Sequence, residues 1–284
     1  MKKTFVTLLS TDNYLKGVLV LYQSLKNTNT PYPLVVLLSE RISDNTEQIL
    51  RQNNIKTIRI VNPVNMEITS NINKTGSTHW NYTFEKLYIF RLTQFEKIVY
   101  LDSDMLVLEN IDELFEKEHM SAVGPAGGKF PGNESYNGLN SGLLVIKPDA
   151  KVFEILISLI PSVTKKLEKC GDQDVIIEHF IEKWRNNKNL HLDDKYNMIF
   201  PYSDFYIKNF NYTLNQRLSQ KNIKIMHFIG AEKPWMRKHN LVSFAKFSAY
   251  LLKNIICKHD PDRLYQGKAM LIYKRYLLKI KAAS

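Results

Sequence analysis

The chain has 284 residues, 44% of them hydrophobic, so it can bury one substantial core or two small ones. Its formal net charge is +11, and its two cysteines are too few for a disulfide framework. No apolar run approaches the roughly 20 residues of a membrane-spanning helix, and the apolar start is broken at Ser10, too early for a signal peptide. These properties favour a soluble, cytoplasmic protein.

The first half of the chain alternates between strand and helix patterns. In order, the predicted elements are strand Thr4–Leu9, helix Tyr14–Leu25, strand Leu34–Leu38, a helix opening at Asp44, strand Lys56–Val61, a long polar loop Asn62–Asn81, helix Thr83–Leu92 and strand Ile98–Leu101. Asp44 has the spacing of a capping-box cap. The order predicts an α/β fold with a largely parallel, doubly wound sheet flanked by helices.

The second half is less regular, and no repeat or linker divides it. Its predicted strands are Ser121–Gly124, Leu139–Lys147 and Ile223–Ile229, and its predicted helices are Ala150–Lys169 and Gln173–Trp184. We therefore expect one catalytic domain of residues 1–240, followed by a basic, helical C-terminal extension of residues 241–284.

This extension carries much of the positive charge, with nine Lys or Arg and two Asp in residues 246–284. Aromatic side chains alternate with these bases, a pattern that suits peripheral contact with the inner, anionic face of a membrane. The alternative is a solvated helix that packs on the domain. Because no nucleic-acid-binding motif accompanies the charge, nucleic acid is not an expected partner.

Asp102-Ser103-Asp104 directly follows the apolar run that ends at Leu101. Two carboxylates at the end of a buried strand are costly unless a cation lies there, and this end of the strands is where α/β sheets bind ligands. Carboxylates two residues apart can converge on one divalent cation, which could in turn hold a diphosphate. The simpler alternative is a solvated turn.

His227 follows the last predicted strand in the same way. A neutral imidazole would suit a borderline cation such as Mn²⁺ as the third ligand beside two carboxylates, although such a histidine is often only a structural residue. Gly230 would let the backbone approach a phosphate closely, and Lys233 would offset its charge.

Two further polar clusters have both a structural and a functional interpretation. Asp172, Gln173 and Asp174 open a helix, where capping and the helix dipole favour carboxylates. The functional alternative makes one of them a sugar-hydroxyl acceptor beside a reacting centre. Asn140-Ser141-Gly142 precedes a strand, and its simplest interpretation is a turn.

From Phe5 to Trp235 the chain resembles the glycogenin-like branch of glycosyltransferase family 8, which also contains bacterial galactosyltransferases. The resemblance is carried by FVTLLSTDNYLKGVLVLYQSL, FEKLYIFRLTQFEKIVYLDSDMLVLENIDELF, NSGLLVIKP, GDQDVI and HFIGAEKPW. It implies a GT-A fold with a Rossmann-like mixed, mostly parallel sheet. It also implies retaining transfer of glucose or galactose from a UDP-hexose, with Mn²⁺ or Mg²⁺ as cofactor, and makes a homodimer a candidate assembly.

The same resemblance implies roles for the motif residues. The metal ligands would be Asp102, Asp104 and His227, with Ser103 part of the same donor anchor. The other donor contacts would be Leu8, Thr11 and Tyr14 at uridine, Lys86, Asn140, Ser141, Asp172 and Gln173 at the sugar, and Gly230 and Lys233 at the diphosphate. Tyr14 would stack on uracil. Asp172 is the candidate nucleophile, with Gln173 equally near, and front-face attack without a nucleophile is the alternative.

Two departures bear on the substrate. Pro125 stands where relatives carry an Asp near the donor sugar, so the sugar contacts are expected to differ. Tyr196-Asn197 matches the pair that precedes the self-glucosylated tyrosine of glycogenin, but Asp204 stands about where that tyrosine would fall. We therefore expect a separate glycan, glycolipid or polyol acceptor. The alternatives are a self-glucosylating primer and an inactive nucleotide-sugar-binding protein.

Overall fold

A computed structural model describes residues 2–61, 78–125, 127–133, 138–167, 169–214, 219–230, 233–236, 249 and 264–283. The strands in these residues are β1 (Lys3–Leu9), β2 (Leu34–Leu38), β3 (Lys56–Arg59), β4 (Lys97–Leu101), β5 (Met105–Val107), β6 (Ala122–Val123), β7 (Leu143–Ile146), β8 (His191–Leu192), β9 (Met198–Ile199) and β10 (Ile225–His227). The α-helices are α1 (Leu15–Lys26), α2 (Asp44–Gln52), α3 (Ala150–Lys166), α4 (Asp172–Asn186), α5 (Ser203–Phe210) and α6 (Leu264–Ala283).

Seven strands form the main sheet in the order β3-β2-β1-β4-β7-β6-β8. The first four are parallel to one another, whereas β7 is antiparallel to both β4 and β6. All residues of β2 are buried because hydrophobic clusters cover both faces of the sheet, which explains its uninterrupted apolar sequence. The sheet is thus mixed, with parallel pairing among the first four strands and antiparallel pairing at β7, as expected for the GT-A fold.

A second sheet of three strands, in the order β5-β10-β9, stands at the carboxyl edge of the main sheet. The chain leaves β4 at Leu101 and enters β5 at Met105, so Asp102-Ser103-Asp104 is the corner between the two sheets. In the antiparallel pairing of β5 with β10, His227 lies opposite Met105. This pairing brings the last predicted strand to the acidic corner from more than a hundred residues away in sequence.

Two details of the predicted elements are wrong. Asp44 is not the cap of α2: the cap is Ser43, whose backbone is extended and whose hydroxyl oxygen accepts a hydrogen bond from the Thr46 N–H at 3.3 Å. Glu47 instead pairs with Arg59 of β3. The predicted helix Thr83–Leu92 belongs to a 3-10 helix spanning Thr78–Arg91.

Several predicted segments are shorter in the structure. The strand predicted over Lys56–Val61 ends at Arg59, and the strand predicted over Ser121–Gly124 is reduced to β6. The strands predicted over Leu139–Lys147 and Ile223–Ile229 are reduced to β7 and β10, respectively. The polar loop predicted for Asn62–Asn81 lies outside the described residues from 62 to 77.

Helix α6 covers a third hydrophobic cluster and packs against α1, α5 and the 3-10 turn Pro234–Met236. Its buried apolar side chains are those of Ala269, Met270, Tyr273 and Leu277, and Lys274 is buried as well. Of the predicted helical extension 241–284, the part over Leu264–Ala283 is helical and packs on the rest of the protein, whereas residues 241–248 and 250–263 lie outside the described residues. None of the helices in the described part of the chain is long and apolar enough to cross a membrane.

Candidate functional site

Asp102, Asp104 and His227 converge where the two sheets meet. The Nε2 atom of His227 lies 3.2 Å from Oδ1 of Asp104 and 3.8 Å from Oδ2 of Asp102. One ligand atom from each of the three side chains lies within 4.8 Å of the others. Asp104 and His227 are buried, and Asp102 is partly exposed. The fold thus brings together the three residues that the resemblance implies as metal ligands.

A chain of amide hydrogen bonds sets the orientation of His227. Asn197 Nδ2 donates to Asn140 Oδ1 at 2.7 Å, so Asn197 Oδ1 is the acceptor that faces His227 Nδ1 at 2.8 Å. This network assigns the proton to Nδ1 and leaves the Nε2 lone pair facing the carboxylates. Metal-binding histidines are commonly held by a second hydrogen bond of this kind. The position of Asn197 beside Tyr196 in the sequence gives no sign of this role.

Gly142 is needed for His227 to occupy its place. A Cβ at position 142 would lie 2.6 Å from His227 Cε1 and 2.9 Å from Asn140 Oδ1, both too close for real contacts. Gly17 of α1 similarly lets the acidic corner approach, because a Cβ there would lie 2.6 Å from the Ser103 carbonyl oxygen. Neither glycine can be assigned this role from sequence alone, since each constraint comes from a distant segment.

Each carboxylate of the acidic corner has one oxygen paired with a buried lysine. Lys86 Nζ lies 3.0 Å from Asp102 Oδ1, which also accepts a hydrogen bond from the Tyr100 hydroxyl at 2.8 Å. Lys233 Nζ lies 2.5 Å from Asp104 Oδ2. The other oxygen of each carboxylate is the one nearer His227 Nε2. Two carboxylate oxygens and one imidazole nitrogen therefore converge on a common point.

Burial and charge act in opposite directions on the pKa values here. Burial alone would lower the pKa of Lys86, but Asp102 and Asp172 outweigh it and the pKa is raised. The pKa of Lys233 is raised in the same way by Asp104. Burial raises the pKa of Asp102, whereas at Asp104 the charge and hydrogen bond of Lys233 act against burial and the pKa is lowered. Both lysines therefore remain charged, and Asp104 remains ionised.

The donor set fits a divalent cation. Oxygen and imidazole ligands suit Mn²⁺ and related ions. Neighbouring ligand atoms of an ion that binds them at about 2.1 Å are separated by about 3 Å, close to the 3.2 Å between His227 Nε2 and Asp104 Oδ1. The orientation of the Nε2 lone pair supports the same conclusion.

Lys86 connects the acidic corner to the two predicted catalytic residues. Its Nζ lies 2.8 Å from Asp172 Oδ2, and the Ser141 hydroxyl donates to the same oxygen at 2.7 Å. The Ser141 N–H donates to Gln173 Oε1 at 3.0 Å. Asp174, by contrast, accepts a hydrogen bond from the Gly171 N–H in the first turn of α4, which is the structural role that its position favours.

The residues implied to hold uridine lie on and after β1. Leu8 is buried near the end of β1, and the Thr11 carbonyl accepts a hydrogen bond from the Tyr14 N–H. The Tyr14 ring is half-buried, with its centroid 5.3 Å from that of Trp235 and 5.8 Å from Lys233 Nζ. Tyr14 is therefore adjacent to the Lys233–Asp104 pair.

Two residues complete the side of the site next to Lys233. Trp235, which sequence reasoning missed, donates its indole N–H to the Asn13 carbonyl at 2.8 Å. Gly230 has a φ of +101°, which favours glycine, and a Cβ added there would meet no atom of the described residues within 4 Å. Among those residues, the backbone at Gly230 is thus open to close approach.

The sequence profile of glycosyl transferase family 8 matches residues 5–124 and 128–239 of the chain. The chain belongs to glycosyl transferase family 8. Membership confirms the enzyme class predicted from the motifs, a glycosyltransferase. The match extends over the acidic corner, both catalytic candidates, His227 and Lys233.

Curated relatives of this family 8 protein include two animal glycogenins. Glycogenin-1 of Caenorhabditis elegans is 32% identical over 235 residues, covering 83% of this chain and 51% of the relative. Glycogenin-1 of Mus musculus is 31% identical over 238 residues, covering 84% of this chain and 67% of the relative. The chain thus spans between half and two thirds of the length of these proteins.

Solved structures confirm the GT-A fold. The galactosyltransferase LgtC, solved in complex with donor and acceptor sugar analogues, aligns with a TM-score of 0.59 and 18% identity over 83% of this chain and 90% of LgtC. The glycosyltransferase GlyE of Streptococcus pneumoniae aligns with a TM-score of 0.55 and 21% identity over 83% of this chain and 56% of GlyE.

Proposed function

We propose that the protein is a retaining, Mn²⁺-dependent glycosyltransferase that moves glucose or galactose from a UDP-hexose to a hydroxyl of a separate acceptor. One observation carries the proposal most directly: the carboxylate oxygens of Asp102 and Asp104 that their lysines leave free lie nearest His227 Nε2. Family membership and the resemblance to UDP-sugar enzymes support the donor class.

In this proposal Asp102, Asp104 and His227 hold the cation, and Mg²⁺ is the alternative ion. When bound, the cation supplies Lewis-acid stabilisation and a template for the departing diphosphate. Lys233 contributes a second positive charge, and the open backbone at Gly230 admits the phosphate oxygens. Leu8, Thr11 and Tyr14 hold the uridine, with the Tyr14 ring available for stacking.

The catalytic candidates Asp172 and Gln173 contact Ser141, and Lys86 pairs with both Asp172 and Asp102. Retention of configuration has two routes. In a double displacement, the Asp172 carboxylate bonds to the anomeric carbon as UDP leaves, and the acceptor hydroxyl then displaces it. In front-face attack, the acceptor hydroxyl arrives on the side that UDP leaves, and Gln173 and Asn140 orient the sugar.

We propose a separate glycan, glycolipid or polyol acceptor because several residues in the region aligned with the glycogenin acceptor are buried against the rest of the protein. Asp204, near the expected acceptor position, is buried, and its two carboxylate oxygens accept hydrogen bonds from the Tyr265 and Gln266 N–H groups. Tyr206 and Tyr212 are only 2% and 3% exposed. Of Tyr202, Tyr206 and Tyr212, Tyr202 is the half-buried one, so it is the candidate acceptor of a self-glucosylating primer.

The first test is hydrolysis of UDP-glucose and UDP-galactose with Mn²⁺, with Mg²⁺ and with EDTA. We expect metal-dependent release of UDP from one of the two donors, and a loss of about a hundredfold or more in Asp104→Ala. Intact-protein mass after incubation should stay unchanged, whereas stepwise hexose additions would favour the primer. Hydrolysis equal to the EDTA control would favour an inactive nucleotide-sugar-binding protein and reject the enzyme.

The cellular setting is a further part of the proposal. We propose a cytoplasmic protein with peripheral contact at the inner face of a membrane through the exposed bases of α6. Lys268, Arg275 and Lys279 are exposed on that helix, and the buried face is occupied by the protein core. A homodimer, which the resemblance also implies, would appear as twice the monomer mass in light scattering.

A further inference from the structure

Tyr273 of α6 is fully buried at 0% exposure, on the side of the site next to Lys233. Its ring centroid lies 4.9 Å from that of Phe228 in an edge-to-face arrangement and 6.2 Å from that of Trp235 with the planes 25° apart. Both geometries are favourable for aromatic pairs. Tyr273 thus contacts two residues that flank the turn after β10.

That turn carries the groups proposed to meet the donor diphosphate. The Phe228 carbonyl accepts a hydrogen bond from Lys233 Nζ at 3.0 Å, and Lys233 also pairs with Asp104. Trp235 connects the far end of the turn to Tyr14 by ring packing and to Asn13 by a hydrogen bond. Displacing Phe228 or Trp235 would therefore displace Lys233.

Helix α6 is itself fixed at its first turn. The carboxylate of Asp204 in α5 accepts hydrogen bonds from the backbone N–H groups of Tyr265 and Gln266, both at 2.9 Å. A negative charge at a helix N-terminus is favoured by the helix dipole as well as by these bonds. The Gln266 side chain adds a hydrogen bond to the Pro201 carbonyl at 3.0 Å. These contacts with α5 thus fix the position of α6, and with it the position of the Tyr273 ring.

We propose that Tyr273 is a positioning residue of the donor site, whose ring holds Phe228 and Trp235 so that Lys233 faces the donor diphosphate. The inference rests on the proposed function and extends it to the C-terminal helix, which lies beyond the family match ending at residue 239. The C-terminal helix is then part of the active enzyme and not only an attachment to it.

The ring carries this role, and the hydroxyl does not. The Tyr273 hydroxyl is buried and has no hydrogen-bond partner within the part of the chain that the structure describes. Removing a buried, unpaired hydroxyl costs little stability and can add some. Removing the whole ring leaves a cavity into which Phe228 and Trp235 can move, and a displacement of about 1 Å at a binding group can cost a large factor in function.

The test measures the affinity of the full chain for UDP and for uridine by calorimetry with Mn²⁺, alongside the melting temperature. In Tyr273→Ala we expect UDP affinity to fall about tenfold or more, and uridine affinity to fall less, because Lys233 meets only the diphosphate. Tyr273→Phe should bind UDP like the original protein. Tyr273→Leu, which removes less volume, should show the same split if the alanine variant does not fold.

Leu277→Ala is the matched control, because Leu277 lies one turn further along the same buried face of α6. It should lower the melting temperature while UDP affinity stays within about twofold. An equal loss of UDP affinity in Leu277→Ala or in Tyr273→Phe would overturn the proposal, as would unchanged UDP affinity in folded Tyr273→Ala or Tyr273→Leu. If the original protein binds no UDP, the proposed function itself fails. If the original protein binds UDP and only the results for the variants contradict the expectation, the positioning role alone fails, so the two failures are distinguishable.

Discussion

At the scale of single residues, the site balances its own charges. Four buried or partly buried charged groups, Lys86, Lys233, Asp102 and Asp104, lie within a few contacts of one another. Burying such charges unpaired would cost several kcal/mol per ion. The lysine pairs offset that cost while leaving one oxygen of each carboxylate directed towards His227, so the same residues stabilise the fold and prepare the candidate metal site.

Gly142 is the residue-scale test of that site. Gly142→Ala should displace His227, because the new Cβ would lie 2.6 Å from its Cε1 and Asn197 holds the ring in place. We expect Mn²⁺ affinity, measured by calorimetry, to fall about 10- to 100-fold. Gly124→Ala is the control, since the nearest atom that its Cβ would meet among the described residues belongs to Trp184, at 4.0 Å. Unchanged Mn²⁺ affinity in folded Gly142→Ala would argue against His227 as a ligand.

At the scale of elements, α6 has one face that packs in the protein core and one face that is exposed and basic. Its apolar face joins α1 and α5 in a hydrophobic cluster, so those side chains are not available to insert into a bilayer. Its exposed face presents Lys268, Arg275 and Lys279. Membrane contact by this helix would therefore be electrostatic, and hence sensitive to salt.

Reversing these charges tests that contact. The triple variant Lys268→Glu, Arg275→Glu and Lys279→Glu should lose binding to phosphatidylserine liposomes by about a hundredfold or more, since each base near an anionic surface is worth about 1 kcal/mol. Sedimentation with liposomes measures it. A control with the same net charge carries glutamate at the exposed Lys151, Lys183 and Lys188 instead. Equal binding by the two variants would reject a membrane role for α6.

At the scale of the whole molecule, stability should depend on pH through His119, a partly buried histidine outside the candidate site. His119 packs against the rings of Phe90 and Phe180, and its Nδ1 accepts a hydrogen bond from the Lys147 N–H at 3.1 Å. Burial, reinforced by the charge of Lys183, lowers the pKa of His119 from 6.5 to about 4. The folded protein therefore favours the neutral imidazole.

The sign follows from proton uptake. Between about pH 6.5 and 4 the unfolded chain binds a proton at His119 and the folded protein does not, so stability is present above about pH 6.5 and falls as pH falls towards 4. The free energy of unfolding that is lost through His119 between pH 7 and 4 is about 3 kcal/mol. In urea unfolding, the free energy of unfolding should fall between pH 7 and 4 by about 3 kcal/mol less in His119→Gln than in the original protein. His179→Gln, where weaker burial lowers the pKa less, should change the pH dependence little.

Much of the fold could be predicted because it is encoded in local patterns. The strand Leu34–Leu38 was predicted to the residue, and β1 and β4 differ from their predictions by one residue, since uninterrupted apolar runs between turn signals mark buried strands. The three-residue strands β5 and β10 depend on each other for pairing, so their bounds could not be read from either segment. The cap of α2 falls at Ser43 because backbone direction, not residue type alone, decides which oxygen meets the helix.

The family could be identified, and the ligand chemistry predicted, from sequence alone, because two carboxylates, an imidazole and two lysines follow recognisable motifs in a set order. The sequence also determined that Asp102 and Asp104 stand at the end of a buried strand. Packing alone fixes which carboxylate oxygens the lysines contact, that Asn197 directs the His227 lone pair, and that Tyr273 contacts Phe228, whose carbonyl accepts a hydrogen bond from Lys233. Those features are distances between residues remote in sequence, and such distances exist only once the chain has packed.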